Sequence, residues 1–310
     1  MKRADGAGAP GYDPSMATEG SSAYSKLERR FSRAMVVASV QRVLDWDSAV
    51  ILPPGASAMR GEQLAELAVV EHEAVAGPEV GAWLETAEDE TLTSVERQNL
   101  AEMKRRYAHA TAVTPDLVAE LARVRTRCES SWRRAREAND FQLVRGDLSA
   151  MVEVVRQVAT AKGRVLGCDA YDALVDEHEP GLRQNRIDAL FAPLREALPN
   201  LVERVLAAQG DPGLPFAGPF AVERQKRLGQ RLMAALGFDF ERGRLDVSAH
   251  PFCGGGGDDI RVTTRYEESD FSSALMGVLH ECGHALYEFG LPPALRQQPV
   301  GQARGMAVHE

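Results

Sequence analysis

The residues of this sequence that could do chemistry cluster in a short stretch where His280, Glu281 and His284 form an HExxH pattern. If this stretch is helical, positions i and i+4 lie about one turn apart on the same face, so both imidazoles can reach one tetrahedral zinc ion. Glu281 then projects beside the metal, where its carboxylate can take a proton from a metal-activated water and pass it to a leaving amine. The spacing therefore predicts metal-assisted hydrolysis, with Glu281 as the catalytic base.

The sequence around the motif has the start and stop signals of a single helix. Asp270 is suited to cap its start, and Gly290 followed by Pro292 marks its end. The apolar residues between them form one broad face: Phe271, Leu275, Val278, Leu279, Cys282 and Leu286. We therefore predict one helix over residues 271–289. Because HExxH is short, the alternative is two helical histidines bonded to carboxylates or to solvent.

A catalytic zinc ion that keeps one coordination position open needs a third protein ligand. Glu310 is the best candidate, because the Pro- and Gly-containing residues 291–305 let the chain leave the helix, turn and bring a carboxylate back. Glu288, one further helical turn along, would overshoot an ion held by both histidines. His309 is the other possible third ligand.

Composition limits the classes of protein to which the chain can belong. Its 310 residues are 44% apolar, enough for a buried core, and its net charge of −9 comes from charges of both signs mixed along the chain. With no basic stripe and no apolar run near the roughly 20 residues that span a bilayer, we expect neither a nucleic-acid nor a membrane partner. The cysteines lack CxxC pairing, which favours reduced thiols in a cytoplasmic protein.

The chain order predicts a leader followed by one mainly α-helical domain. Residues 1–22 are rich in Gly, Ala, Pro and Ser and are predicted to be a disordered leader; the domain then covers residues 23–310. Thr93 with Glu96 is a possible capping box, and Thr114 is suited to cap the next helix. Further apolar stripes follow through residue 236. Pro193 and Pro199 are expected to bend or end the helix that contains them.

After residue 240 the pattern changes from helical periodicity to alternation of polar and apolar residues. Residues 245–250 and 260–265 alternate in this way and flank a run of four glycines, residues 254–257. We predict a small antiparallel β-hairpin beside the HExxH helix, with the glycines at its tip. A phosphate-binding loop is not indicated, since neither GxxxxGK[ST] nor a strand–GxGxxG–helix unit is present.

Several stretches together resemble the carboxypeptidase Taq family, the M32 metallocarboxypeptidases. Towards the N-terminus the matching stretches are Leu44-Asp45-Trp46-Asp47, Pro53-Pro54-Gly55-Ala56 and Arg60-Gly61-Glu62-Gln63-Leu64, and in mid-chain Glu179-Pro180-Gly181. The most specific are His250-Pro251-Phe252, the stretch from Asp259 to Tyr266, the stretch from His280 to Glu288, and His309-Glu310. In order and spacing these last four resemble the family's HPF, DxRxT, HExxH and the opening of its HES motif.

The resemblance implies a mostly helical fold with a small sheet beside a deep groove, homodimerisation, and release of C-terminal amino acids from peptides with broad specificity. It implies zinc, with cobalt as an alternative metal. By the same resemblance His280, His284 and Glu310 are the metal ligands and Glu281 is the base.

The family motifs also mark residues outside the metal set. The resemblance implies that His250, Asp259, Arg261 and Thr263 line or support the site. Alternation along a strand would put Arg261 and Thr263 on one face. Since the sequence reaches its last residue inside the HES motif, we expect a domain incomplete at its C-terminus, with Glu310 in a short stub that frays, weak zinc binding and little activity.

Two other functions stay open at this stage. An oligopeptidase that cuts internally would use the same zinc chemistry, since only the closure of the groove distinguishes it from a carboxypeptidase. A helical binding or scaffold fragment without turnover is the alternative from a different class.

Overall fold

The computed structural model describes residues 22–210 and 218–310. The predicted leader lies outside the described residues except for Ser22, whose hydroxyl accepts a hydrogen bond from the Ser25 amide and caps the first helix. Across the part that is described, the structure contains no helix with the length and hydropathy that a bilayer crossing requires.

The chain forms a long succession of helices followed by a small sheet and the motif helix. The helices before the sheet are α1 (Ala23–Val50), α2 (Ser57–Ala76), α3 (Pro78–Glu88), α4 (Ser94–Thr111), α5 (Pro115–Ala138), α6 (Gln142–Leu166), α7 (Ala170–His178), α8 (Gln184–Gln209) and α9 (Val222–Leu236). The remaining elements are β1 (Gly243–Val247), β2 (Phe252–Gly256), β3 (Asp259–Thr264), α10 (Phe271–Gly290) and α11 (Met306–His309). Single 3-10 turns occupy Pro54–Ala56, Pro293–Leu295 and Pro299–Gly301. The mainly α-helical fold with a small sheet is confirmed.

Local capping chemistry explains where several helices begin. Both bonds of the capping box at Thr93 and Glu96 are present, which satisfies two backbone amides at the start of α4. Thr114 accepts a hydrogen bond from the Leu117 amide at the start of α5. Both predicted caps are confirmed.

Helix α8 runs through both of its prolines. Pro193 and Pro199 lie inside it, and the helix ends only at Gln209. Neither proline therefore ends the helix, which was one of the two effects expected from the sequence. Each proline removes one intrahelical hydrogen bond, but the helix continues on both sides of it. No side chain of α8 is buried, and several large apolar ones are exposed: Leu190, Phe191, Leu194, Leu198, Leu201, Val202, Val205 and Leu206.

The predicted pairing of the strands is wrong. Residues 245–250 and 260–265 do contain neighbouring strands, but β1 runs parallel to β3, and the hairpin is formed by β2 and β3. Three of the four glycines, Gly254 to Gly256, therefore lie in strand β2, and only Gly257 lies in the turn at the tip of the hairpin. Gly255 has a φ of 83°, and a Cβ there would lie 1.9 Å from the Asp259 carbonyl oxygen. Only glycine lets the two strands approach so closely at this point.

Two hydrophobic clusters hold the described part together. The first joins the four helices α1, α2, α3 and α4 around Leu27, Phe31 and Met103. The second packs α10 and α9 against the sheet through Met233, Ile260, Val262, Val278, Cys282 and Ala285. The motif helix is thus fixed to the sheet by its buried face, which leaves its opposite face free to carry polar side chains.

A buried polar link joins the first cluster to the segment after α10. The Asn99 amide of α4 donates to the Tyr24 hydroxyl at 3.0 Å and to the Gln298 amide oxygen at 3.1 Å, and its own oxygen accepts from the Val300 backbone amide at 3.1 Å. The Gln298 side chain in turn donates to the Glu28 carbonyl. These bonds attach residues 298–300 to α1 and α4.

We expect Asn99→Ala to lower the free energy of unfolding by about 3 kcal/mol, because it removes three hydrogen bonds of a buried side chain and leaves the part-buried Val300 amide without its acceptor. Urea unfolding followed by circular dichroism measures this. Asn185→Ala, at an exposed position on α8, is the control and should change stability by less than about 0.5 kcal/mol. Equal urea midpoints for the Asn99 variant and the parent would contradict the role given to this link.

Candidate metal centre

Helix α10 begins and ends as its sequence predicts. Asp270 accepts hydrogen bonds from the Ser272 and Ser273 amides and caps its start, and the helix extends to Gly290, one residue beyond the predicted end. Burial of Val278, Cys282 and Ala285 against the sheet fixes its rotation about its axis. His280 and His284 consequently project on the same side, with their Nε2 atoms 3.1 Å apart.

A carboxylate from Glu310, the residue that follows α11, joins the two imidazoles. The Glu310 Oε2 atom lies 3.7 Å from His280 Nε2 and 3.8 Å from His284 Nε2. Among the described residues these three side chains form the one group whose ligand atoms all lie within 4.8 Å of one another in a way that could hold a metal ion. Two imidazole nitrogens and one carboxylate oxygen are a donor set that suits a divalent transition metal and leaves a position open. The residues present therefore fit the metal that the motif predicts.

The two alternative ligands lie beside this group. The His309 ring stacks on His284, with centroids 4.6 Å apart and an interplanar angle of 18°, and its edge meets Tyr287. Glu288 lines the same cavity. Neither belongs to the converging set of donor atoms found in the described chain. His309 thus packs against a ligand ring.

Glu281 lies on the buried side of the histidine pair and is only 8% exposed. Burial raises the pKa of its carboxyl group above the ordinary value, while His280 and His284 and a backbone hydrogen bond from Cys253 oppose that rise. A carboxylate with a raised pKa is a better proton acceptor at neutral pH than an exposed one. Its position suits a base that acts beside the metal ligands without being one of them.

The three candidate ligands and Glu281 line a cavity of about 720 Å³. Its walls come from α1, α2, α4, α10, α11, β2, the turn before β2 and the segment before α11. A second cavity of about 440 Å³ adjoins it and shares Glu71, Arg106, Ala303 and Met306 with it. This space is large enough to receive part of a peptide.

The predicted supporting residues have different positions. His250 is exposed and lines the cavity. Thr263 is fully buried behind it, where its hydroxyl accepts from the Phe252 amide at 3.1 Å and from the Ser248 hydroxyl at 2.7 Å. Thr263 therefore holds the turn that presents His250.

Asp259 and Arg261 do not line this cavity. They pair with each other through two hydrogen bonds of 2.8 and 2.9 Å. The Arg261 guanidinium lies over the Trp46 ring, 4.2 Å from its centroid. Through this contact the DxRxT strand packs on the Leu44-Asp45-Trp46-Asp47 stretch of α1.

Three charged residues of the cavity wall were not singled out from the sequence. Arg42, Glu71 and Arg106 come from α1, α2 and α4 and line the cavity beside the histidines. Burial raises the pKa of Glu71 and lowers that of Arg106. In sequence they occupy ordinary amphipathic-helix positions, so no pattern marks them.

Residues 26–310 match the model of the family described as carboxypeptidase Taq (M32) metallopeptidase. The chain is 36% identical over 304 residues to thermostable carboxypeptidase 1 of Thermus thermophilus, a match that covers 93% of this chain and 59% of that protein. Thus the chain spans about three fifths of the length of that curated relative.

Solved structures give the same result. Metallocarboxypeptidase 1 of Trypanosoma cruzi superposes with a TM-score of 0.81 at 36% identity, covering 93% of this chain and 58% of that one. The M32 carboxypeptidase of Deinococcus radiodurans superposes with a TM-score of 0.77 at 31% identity over the same shares of the two chains. The motifs, the fold and these matches agree, and the chain belongs to the carboxypeptidase Taq (M32) family of metallopeptidases.

Proposed function

We propose that this chain carries the metal centre of a zinc-dependent metallocarboxypeptidase that removes C-terminal residues from peptides with broad specificity. The observation that carries the proposal is the convergence of His280, His284 and Glu310 beside the buried carboxylate of Glu281. Cobalt is the alternative metal, since the same nitrogen and oxygen donors accept it. The relatives are named as carboxypeptidases, and this supports the proposed class of reaction.

In this proposal each residue has a distinct task. Zinc bound by His280, His284 and Glu310 supplies Lewis acidity to a water molecule and to the scissile carbonyl group. Glu281 accepts the proton of the attacking water and passes it to the amine that leaves. Arg42 and Arg106 place positive charge on the cavity wall, which suits the negative end of a peptide.

The exposed His250 is proposed to contact bound substrate from the cavity wall, with Thr263 holding its turn. Asp259 and Arg261 are proposed to support the site from behind the sheet through Trp46. Homodimerisation is proposed on the family resemblance, and a cytoplasmic location on the absence of CxxC pairing among the cysteines. An oligopeptidase that cuts internally and a helical fragment without turnover are the competing functions, and the last two experiments of this subsection separate them.

We expect zinc to stabilise the protein, because a ligand that binds only the folded state raises the free energy of unfolding by mass action. At free zinc about a hundredfold above the dissociation constant the gain is about 2.7 kcal/mol. Thermal unfolding of chelator-treated and zinc-loaded protein measures it. His284→Ala should abolish the gain, whereas His178→Ala, at an exposed position on α7, should keep it. A zinc-dependent gain that survives His284→Ala would contradict the ligand assignment.

Glu281→Gln should leave zinc binding within a few-fold of the parent and lower peptide hydrolysis at least about 100-fold, because the amide cannot take the proton of the attacking water. Metal content and peptidase rate are measured on the same preparation. Hydrolysis at the parent rate would remove Glu281 from the role of base. Zinc binding without hydrolysis in the parent itself would favour the helical fragment without turnover.

Digestion of a synthetic peptide should give products that shorten one residue at a time from a free C-terminus. Mass spectrometry over time reads the ladder, and the same peptide with a C-terminal amide is the control, which a carboxypeptidase should cut slowly or not at all. Internal fragments appearing first, from both peptides alike, would instead identify the oligopeptidase.

A further inference from the structure

The mid-chain stretch Glu179-Pro180-Gly181 has no part in the chemistry described above, yet it touches the element that carries Glu310. Glu179 follows directly after α7, and its Oε2 atom accepts a hydrogen bond of 2.8 Å from the backbone amide of Ala307. Ala307 is the second residue of α11. The Glu179 carboxylate therefore satisfies one of the amides that a helix start leaves without an intrahelical partner.

The approach of Glu179 to this segment is unusually close. A Cβ atom built on Gly305 would lie 2.6 Å from Glu179 Oε1 and 2.7 Å from Oε2. Gly305 has an ordinary extended backbone, with a φ of −140°, so backbone freedom does not explain its glycine. What the glycine supplies is room for the carboxylate.

Glu179 is itself held in place by the turn that it begins. The Asp176 carboxylate accepts from the Gly181 amide at 3.0 Å and from the Arg183 guanidinium at 2.7 Å, and it lies 3.0 Å from the buried His109 ring. Burial alone would raise the pKa of Asp176, but the hydrogen bonds from Arg183, His109 and Gly181 lower it to about 2. At neutral pH the turn is thus fixed by a charged and fully bonded carboxylate.

A short terminal helix needs this kind of support. Helix α11 has four residues, too few for helical hydrogen bonds to hold it without tertiary contacts. The Glu310 side chain is 61% exposed, so packing does not fix it either. One further brace is the ion pair between Arg304 Nε and Glu102 Oε1, at 2.6 Å. The His309 ring stacks on His284, and Glu179 is the side chain that accepts a hydrogen bond from the backbone of α11, at position 307.

We infer that Glu179 is a positioning residue of the metal centre: it fixes the start of α11 and thereby sets where the Glu310 carboxylate meets His280 and His284. The inference rests on the proposed function, because it assumes that these three residues bind the metal. It assigns Glu179 no contact with metal or substrate. It also explains why position 305 is a glycine.

The test compares zinc dissociation constants, measured by competition with a chromogenic chelator, for the parent and five variants. Glu179→Ala should weaken zinc binding between roughly 10- and 100-fold, as loss of a residue that orients a ligand does. Glu179→Gln keeps an oxygen that can accept from the Ala307 amide and should stay within about threefold of the parent. Asp172→Ala is the matched control, since its carboxylate accepts from the Gln184 amide at the start of α8, away from the metal centre.

Gly305→Ala tests whether the glycine is needed to make room for the Glu179 carboxylate. Its Cβ should displace the Glu179 carboxylate and weaken zinc binding about as much as Glu179→Ala does. In the double variant Glu179→Ala with Gly305→Ala, the carboxylate that clashes is gone, so the second change should add almost nothing. A fully additive loss would show that the two positions act independently and would overturn the inference.

Cobalt substitution provides a readout that general destabilisation does not change. The visible spectrum of the cobalt-loaded Glu179→Ala protein should shift from that of the parent, because a mobile Glu310 changes the ligand field, whereas the Asp172→Ala spectrum should be unchanged. Glu179→Ala with parental zinc affinity and cobalt spectrum overturns the inference and leaves the proposed function intact. A parent protein that binds no zinc overturns both.

Discussion

The candidate metal centre depends on bringing a third donor side chain to two histidines that a single helix already places together. One turn of α10 positions His280 and His284, because the buried face of that helix is fixed against the sheet. The third candidate donor, Glu310, directly follows the short helix α11, which comes after a segment with little regular structure. A catalytic metal needs its ligands held within a few tenths of an ångström, so the path of residues 291–310 matters more to the site than any other loop.

That path is determined by polar contacts to distant helices. Asn99 holds residues 298–300 against α1 and α4, Glu102 pairs with Arg304, and Glu179 accepts from the start of α11. Each of these partners is remote in sequence from the segment. The helical part of the chain thus does more than form a core, since it supplies the anchors that bring one carboxylate to α10. The same helices contribute Arg42, Glu71 and Arg106 to the cavity wall.

The elements governed by local chemistry could be predicted from the sequence. The cap at Asp270, the capping box at Thr93 and the spacing of the HExxH motif act over a few residues. Strand pairing could not be predicted, because alternation shows which side chains share a face but not which strands are neighbours or in which direction they run. Helix nucleation alone predicts that the Glu310 stub frays. In the structure, Glu179, Glu102 and the His284 ring make tertiary contacts with this segment, and these contacts are not visible in the sequence.

We propose that one metal ion is bound jointly by His280 and His284 of α10 and by Glu310, the residue that follows α11. X-ray absorption at the zinc edge of the zinc-loaded protein tests it most directly, because it counts and identifies the atoms bound to the ion. The account predicts two imidazole nitrogens at about 2.0–2.1 Å and oxygen ligands at about 2.0–2.2 Å, with the carboxylate contribution lost in Glu310→Ala. A sulfur ligand at about 2.3 Å, or a spectrum that is unchanged in Glu310→Ala, would contradict it.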